Sequence, residues 1–159
     1  MRFDDWALWG FVATVVLTLL MATSQGVGFT RMSIPYLLGT MLTPNRDRAK
    51  VLGVAVHLVN GWVFALGYLA VFHALGFASW TLGAGIGAVH ALFVLAVLFP
   101  ILPGMHPRMA SEQQGPTGVR HLEPPGFFAL HYGLQTPLSV LLSHVIYGAV
   151  LGAFYHLGS

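Results

Sequence analysis

Among the histidines in the apolar stretches of this 159-residue chain, His57, His90 and His144 are by type and setting the first candidates for chemistry. A neutral imidazole presents one nitrogen as donor and the other as acceptor, so it can ligate a metal, pass a proton or bond a neighbouring helix. Inside a membrane-length segment such a group is costly to bury and by default marks a site. His57 and His144 also share a context. The run His57-x-x-x-Gly61-x-Val63-x-x-x-x-Tyr68 matches His144-x-x-x-Gly148-x-Val150-x-x-x-x-Tyr155 in a single register.

On a helix, His57, Gly61, Ala65 and Tyr68 form one stripe and His144, Gly148, Gly152 and Tyr155 form another. A facing pair of imidazoles would suit haem b iron or another transition metal, with His90 as a candidate third ligand. The competing reading has each ring bonded to a neighbouring helix, through partners such as Asn60, Ser143 or Tyr147, with no cofactor at all. Sequence leaves both open. Counting along the helices at ~1.5 Å per residue places His57 and His144 roughly 10 Å inside the boundary. The same counting puts His90 nearer the middle or the opposite leaflet, which favours a separate structural hydrogen bond.

The elements that must carry these residues follow from hydropathy. The chain is 56% apolar and only 8% charged, far from the roughly 25% charged residues of soluble domains. Stretches free of Asp, Glu, Lys and Arg run from Trp6 to Thr30, from Val51 to Pro107 and beyond Glu123. They predict four spans, at about 6–24, 51–75, 80–102 and 137–157, with a turn at Gly76-Phe77-Ala78-Ser79 and Pro137 opening the last. Runs such as Ala91–Leu98 are apolar all round, so lipid or protein must surround them. Arg2 ahead of the first run, with Ala22, Thr23 and Ser24 near its end, is a signal-peptide pattern, but Asp4 and Asp5 and the length of the run argue against cleavage.

The expected fold is an all-α, polytopic membrane four-helix bundle forming a single transmembrane domain. The repeated stripes predict two parallel two-span repeats, with spans two and four adjacent near a pseudo-two-fold axis. The connections at about 25–50 and 103–136 contain interfacial segments, a short helix over Ile34–Leu42 and a surface stretch over Phe127–Tyr132. Small residues let helix backbones approach in lipid, so Gly61, Ala65, Gly83, Gly87, Gly148 and Gly152 are the predicted packing positions.

Every basic residue except Arg2 falls in the two connections, which the positive-inside rule makes cytoplasmic. Both termini and the 76–79 turn are then expected on the periplasmic side of a bacterial-type inner membrane, with Trp6, Trp9 and Trp80 as an aromatic belt. The pI near 9.3 accompanies a net charge of only +2, which points to anionic lipid headgroups rather than nucleic acid. With no cysteine, disulfides, thiolate metal sites and cysteine nucleophiles are excluded. Nucleotide loops, serine elbows, zinc helices and paired carboxylates are also missing. His106, His121, His131 and Glu112 read as solvated loop residues. Met21, Met32, Met41, Met105 and Met109 read as ordinary packing rather than a copper path.

With its repeated His-x-x-x-Gly stripes, the chain resembles small bacterial inner-membrane proteins of four helices that carry no assigned activity. That resemblance implies a fold and no chemistry. The leading functional expectation is a non-enzymatic accessory or oligomer-forming subunit, partnered by the bilayer and by itself or a larger membrane complex. The alternatives are a haem- or metal-binding, electron-transfer protein using the intramembrane histidines, and a small transporter or channel acting as an oligomer.

Overall fold

Hydropathy and helix geometry together account for the architecture of the chain, for which a computed structural model describes residues 2–111 and 115–157. Glu112 lies outside the described residues. Four long helices, α1 (Phe3–Gly26), α3 (Arg46–Leu75), α4 (Trp80–Met105) and α5 (Thr136–Phe154), are each long and apolar enough to cross a membrane. A short helix, α2 (Ile34–Leu42), joins α1 to α3, and a 3-10 turn over Phe127–Tyr132 precedes α5. Large apolar side chains point outward along all four long helices, among them Val51 at 72%, Val89 at 67% and Leu138 at 56% exposure. Water would not tolerate that surface, and hydrocarbon does. The chain is a multi-pass membrane protein built as a four-helix bundle.

Helix ends explain where the predicted boundaries move. Asn45 caps α3, its Oδ1 accepting from the backbone N–H of Asp47 at 3.1 Å and of Arg48 at 2.9 Å. The charged run Arg46–Lys50, expected as loop, is therefore helical and extends α3 beyond the apolar stretch. Gly76 ends α3 in the left-handed region at φ 75°, the conformation a glycine adopts without strain. α4 likewise runs to Met105 and not to Leu102. It contains a π-helical turn over Val94–Leu98, immediately before Pro100. Proline has no N–H to donate back along the helix, and a π turn is one way to absorb the missing bond.

Glycine sets the helix pairings. A methyl group on Gly83 would stand 2.0 Å from the Gly148 carbonyl oxygen, one on Gly148 2.0 Å from that of Gly83, and one on Gly87 2.2 Å from that of His144. α4 and α5 are thus in backbone contact. Gly152 meets the Ser79 carbonyl in the same way, and Gly61 meets Thr14 of α1. Gly39 and Gly53 do the same for α2 and α3, facing the carbonyls of Ala49 and Pro35. Near the terminal end, α1 and α3 exchange indole bonds: Trp6 Nε1 donates to Trp62 O at 3.1 Å and Trp62 Nε1 to Ala7 O at 2.8 Å.

In each half, then, the two crossings pack on each other, α1 on α3 and α4 on α5. Between the halves, α1 packs along α5, but α3 and α4 do not pack along their lengths. The expected adjacency of α3 and α5 reduces to one crossing, where the Tyr147 hydroxyl donates to Gly61 O at 2.6 Å. The cause is the direction of the glycines, with Gly61 turned to α1 and Gly148 to α4.

The connections are packed rather than loose. His106, expected in solvent, is fully buried. Its Nδ1 accepts from the Arg108 N–H at 3.1 Å, which leaves Nε2–H to donate to Leu37 O at 3.0 Å, so the ring clamps the end of α4 to α2. Arg108 Nη1 adds a bond to Thr40 O. Arg31 holds Glu123 at 3.1 Å and its N–H donates to Tyr132 O at 2.8 Å. The segment over Phe127–Tyr132 turns at Phe128 and Ala129, both with left-handed φ, and Ala129 is buried in the core.

Two predictions follow from this packing. Gly83→Ala and Gly148→Ala should each destabilise the bundle by about 1–3 kcal/mol in mixed-micelle unfolding. Gly85→Ala, where a methyl group meets nothing within 4 Å, should be neutral or slightly stabilising. Burial pushes the His106 imidazole below its usual value, so the folded chain binds a proton there less readily than the unfolded one. This contribution is complete above about pH 6.5 and is lost as pH falls below it. His106→Gln should remove that part of the pH dependence, measured as the unfolding midpoint at several pH values.

Candidate functional site

Where the α3 and α4 backbones stay apart lies a cavity of about 500 Å³, lined by residues of all five helices. One part of its wall is apolar, with Leu17, Met21, Val94, Leu98 and Leu102. The other carries His57, Asn60, His90, His144 and Tyr147. Val63 and Phe64 of α3 and Ile101 and Met105 of α4 line the cavity and are also exposed on the bundle surface, so its mouth faces the surrounding hydrocarbon. A lipid-soluble molecule would have a lateral way in.

With the observed helix bounds, each of the three histidines lies near the middle of its helix. His90 is thus at the mid-depth that counting allowed it, and the correction falls on His57 and His144, which lie deeper than the roughly 10 Å expected. α4 runs past the predicted end and α5 stops short of it, which brings His90 alongside His144, their ring centroids 4.7 Å apart at 83°. Among the described residues the ring contact of His144 is with His90 rather than with His57.

A hydrogen bond settles how one of the rings holds its proton. His144 Nδ1 lies 2.8 Å from Val140 O, and because a carbonyl only accepts, Nδ1 carries the hydrogen. Nε2 of a neutral His144 is then an acceptor. His90 Nδ1 lies 3.0 Å from the Tyr68 hydroxyl, the one hydrogen bond that this buried phenol makes among the described residues. Whichever of the two donates, the other His90 nitrogen, Nε2, is buried and has no hydrogen-bond partner, and it stands alone in this among buried side-chain atoms of the described residues. Neither ring nitrogen of His57 is bonded within the described chain, nor is the Asn60 amide, and neither is sealed from the cavity. Two adjacent imidazoles and an unpaired amide thus border one apolar chamber.

Fit to a metal is poor. Among the described residues no three His, Asp or Glu side chains are grouped closely enough to hold a metal ion. The edge-to-face contact of His90 with His144 leaves no room for a macrocycle between those two rings. The candidate packing residues are accounted for inside one chain: Gly61 on Thr14, Ala65 beside Gly10, Gly83 and Gly148 on each other, Gly87 on His144 and Gly152 on Ser79.

Sequence reasoning missed the Tyr68 bond to His90 and the Phe64 ring 4.4 Å from the same imidazole. It also missed His73, whose Nε2 lies 2.8 Å from the Tyr155 hydroxyl. The repeated tyrosines were the available signal, since Tyr68 and Tyr155 each meet an imidazole from another helix. No family model, curated protein or solved structure matches the chain. The geometry alone must therefore carry the functional argument.

In ¹⁵N spectra of histidine-labelled protein, His144 should show a protonated Nδ1. Tyr68→Phe should shift the His90 ring resonances and leave the His144 tautomer unchanged. A His144 ring protonated at Nε2 alone in the unsubstituted protein would contradict the assignment.

Proposed function

We propose that this membrane protein binds a lipophilic molecule with a hydrogen-bonding head, which enters from the bilayer between α3 and α4 and docks that head among His57, Asn60 and His144. The carrying observation is a chamber open to hydrocarbon in whose wall His57, Asn60 and His90 Nε2 have no hydrogen-bond partner among the described residues. A polar group left unsatisfied in such surroundings costs about 1–3 kcal/mol, and a ligand offering a donor and an acceptor would recover it. The chamber's size falls in the range of small-molecule sites, roughly 300–1,000 Å³. An apolar body with a carbonyl or hydroxyl at one end matches both halves of the wall.

Other readings have less support. Small residues suggested an oligomer-forming accessory subunit, but those faces are occupied within one chain and supply no reason for self-association. For a transporter, the lining holds no carboxylate to couple ion movement. Haem or metal binding keeps one supporting feature, the His144 Nδ1–H bond to a carbonyl, which is how ligating histidines are commonly oriented. Among the described residues no group of three His, Asp or Glu side chains converges to complete a metal site.

The test is to purify the chain in mild detergent, extract it with organic solvent and identify what is released. Unsubstituted protein should carry about one lipophilic molecule per chain. Leu98→Trp, which fills the chamber, should carry none, and Asn60→Leu and His144→Leu should each retain it at least about tenfold more weakly, the effect of about 1.4 kcal/mol. Empty unsubstituted protein whose stability no membrane-lipid extract raises would refute the proposal. A haem absorption band or a stoichiometric metal would replace it.

A further inference from the structure

A second cavity, of about 620 Å³, opens at the end of the molecule that carries the connections, where α1 ends, α2 begins and α3 makes its first turns. Arg31, Arg46 and Lys50 line it, against Glu123 as the one carboxylate in the lining. Glu123 is already paired with Arg31 at 3.1 Å. Arg46 has no partner among the described residues, and Lys50 has only Asp47, at 3.9 Å on an exposed surface. Such a contact is worth little. Tyr36, Ser33 and Gln25 complete the wall with polar side chains that make no hydrogen bond within the described chain.

The basic residues of the connections thus divide in two. Arg108 and Arg120 direct their guanidinium groups onto backbone carbonyls, Arg108 to Thr40 and Met41, and Arg120 to His106 and Met109. These serve the fold. Arg46 and Lys50 serve no contact that the fold needs, yet they stand one turn apart on α3 and line a recess with neutral donors. Arg48, between them in sequence, is outside it. An indiscriminate basic band facing headgroups would not sort its charges this way.

Several N–H and O–H donors with a surplus of two positive charges suit a phosphate group, whose oxygens accept from a guanidinium fork, an ammonium and hydroxyls together. We infer that this recess is a binding site for a phosphate ester, carried either by a lipid headgroup or by a soluble molecule. Its position, where α1 and α3 emerge from their apolar stretches, is the depth at which a lipid phosphate lies. The site is independent of the histidine chamber, and neither proposal needs the other.

The experiment uses the full chain in neutral detergent and two probes, phosphatidic acid followed by native mass spectrometry and inorganic phosphate followed by calorimetry. The expected result is saturable binding of one equivalent of at least one probe. Arg46→Gln and Lys50→Gln combined should weaken it by about tenfold or more, from the loss of two charges near the surface. Arg46→Gln alone should weaken it clearly, Arg46→Lys should retain most of it, and Arg48→Gln, which removes the same charge outside the recess, should change it by less than about twofold. Phosphatidic acid bound without competition from phosphate assigns the lipid source, and competition by phosphate assigns the soluble one. Binding of neither probe, or equal weakening by Arg46→Gln and Arg48→Gln in variants with unaltered helicity, would overturn the inference.

Discussion

In hydrocarbon the hydrophobic effect gives two apolar helices no reason to associate, so contact must come from van der Waals packing and hydrogen bonds at short range. Here that constraint is met at a few glycines whose missing side chains let one backbone touch another. Gly83, Gly87, Gly148 and Gly152 bind α4 to α5 over about two turns, while Gly39 and Gly53 bind α2 to the start of α3. Each contact also determines what its helix cannot do. With α5 turned toward α4 and α3 turned toward α1 and α2, the α3 and α4 backbones do not pack along their lengths, and α3 meets α4 through the Phe64 and Tyr68 side chains at His90. The chamber is the consequence of those pairings.

Several polar side chains away from the chamber are paired: His106 with Leu37 O and the Arg108 N–H, His73 with Tyr155, Thr30 with Thr136 at 2.7 Å, and His156 with Asp5. Thr14 and Thr18 return their hydroxyl hydrogens to carbonyls one turn earlier, the usual solution in an apolar helix. In the chamber wall, by contrast, His57 and Asn60 are unbonded and one nitrogen of His90 is orphaned among the described residues. Polar groups left open in the apolar interior of a bundle call for a partner from outside the chain. The π turn of α4 borders the same chamber through Val94 and Leu98, and π turns recur beside functional sites.

Much of the fold was legible from charge-free runs, because their lengths match the thickness of a bilayer. The four spans, the short helix over Ile34–Leu42 and the 76–79 turn are observed where hydropathy and turn residues put them. Boundaries were harder. A cluster of charges reads as loop, but a helix can continue past the apolar core, and Asn45 capped five residues of α3 ahead of Val51. That shift put His57 deeper in its helix than counting from Val51 had placed it. His106 was misread for a different reason: its burial depends on α2 lying beneath it, a tertiary fact that neighbouring Pro107 and Arg108 do not announce. The stripes singled out Gly61 and Gly148, yet periodicity cannot say which neighbour a stripe meets, and so the chamber could not be foreseen.

The central claim is that the gap between α3 and α4 is an entrance to a ligand site. The most direct measurement is an experimental structure of the chain in lipid nanodiscs, prepared without removing native lipid. The account predicts that α3 and α4 stay apart and that density not belonging to the protein fills the chamber, touching His57, Asn60 and His144. If α3 and α4 instead close on each other, with the His57 and His144 rings bonded to protein groups and no space between the helices, the account is wrong.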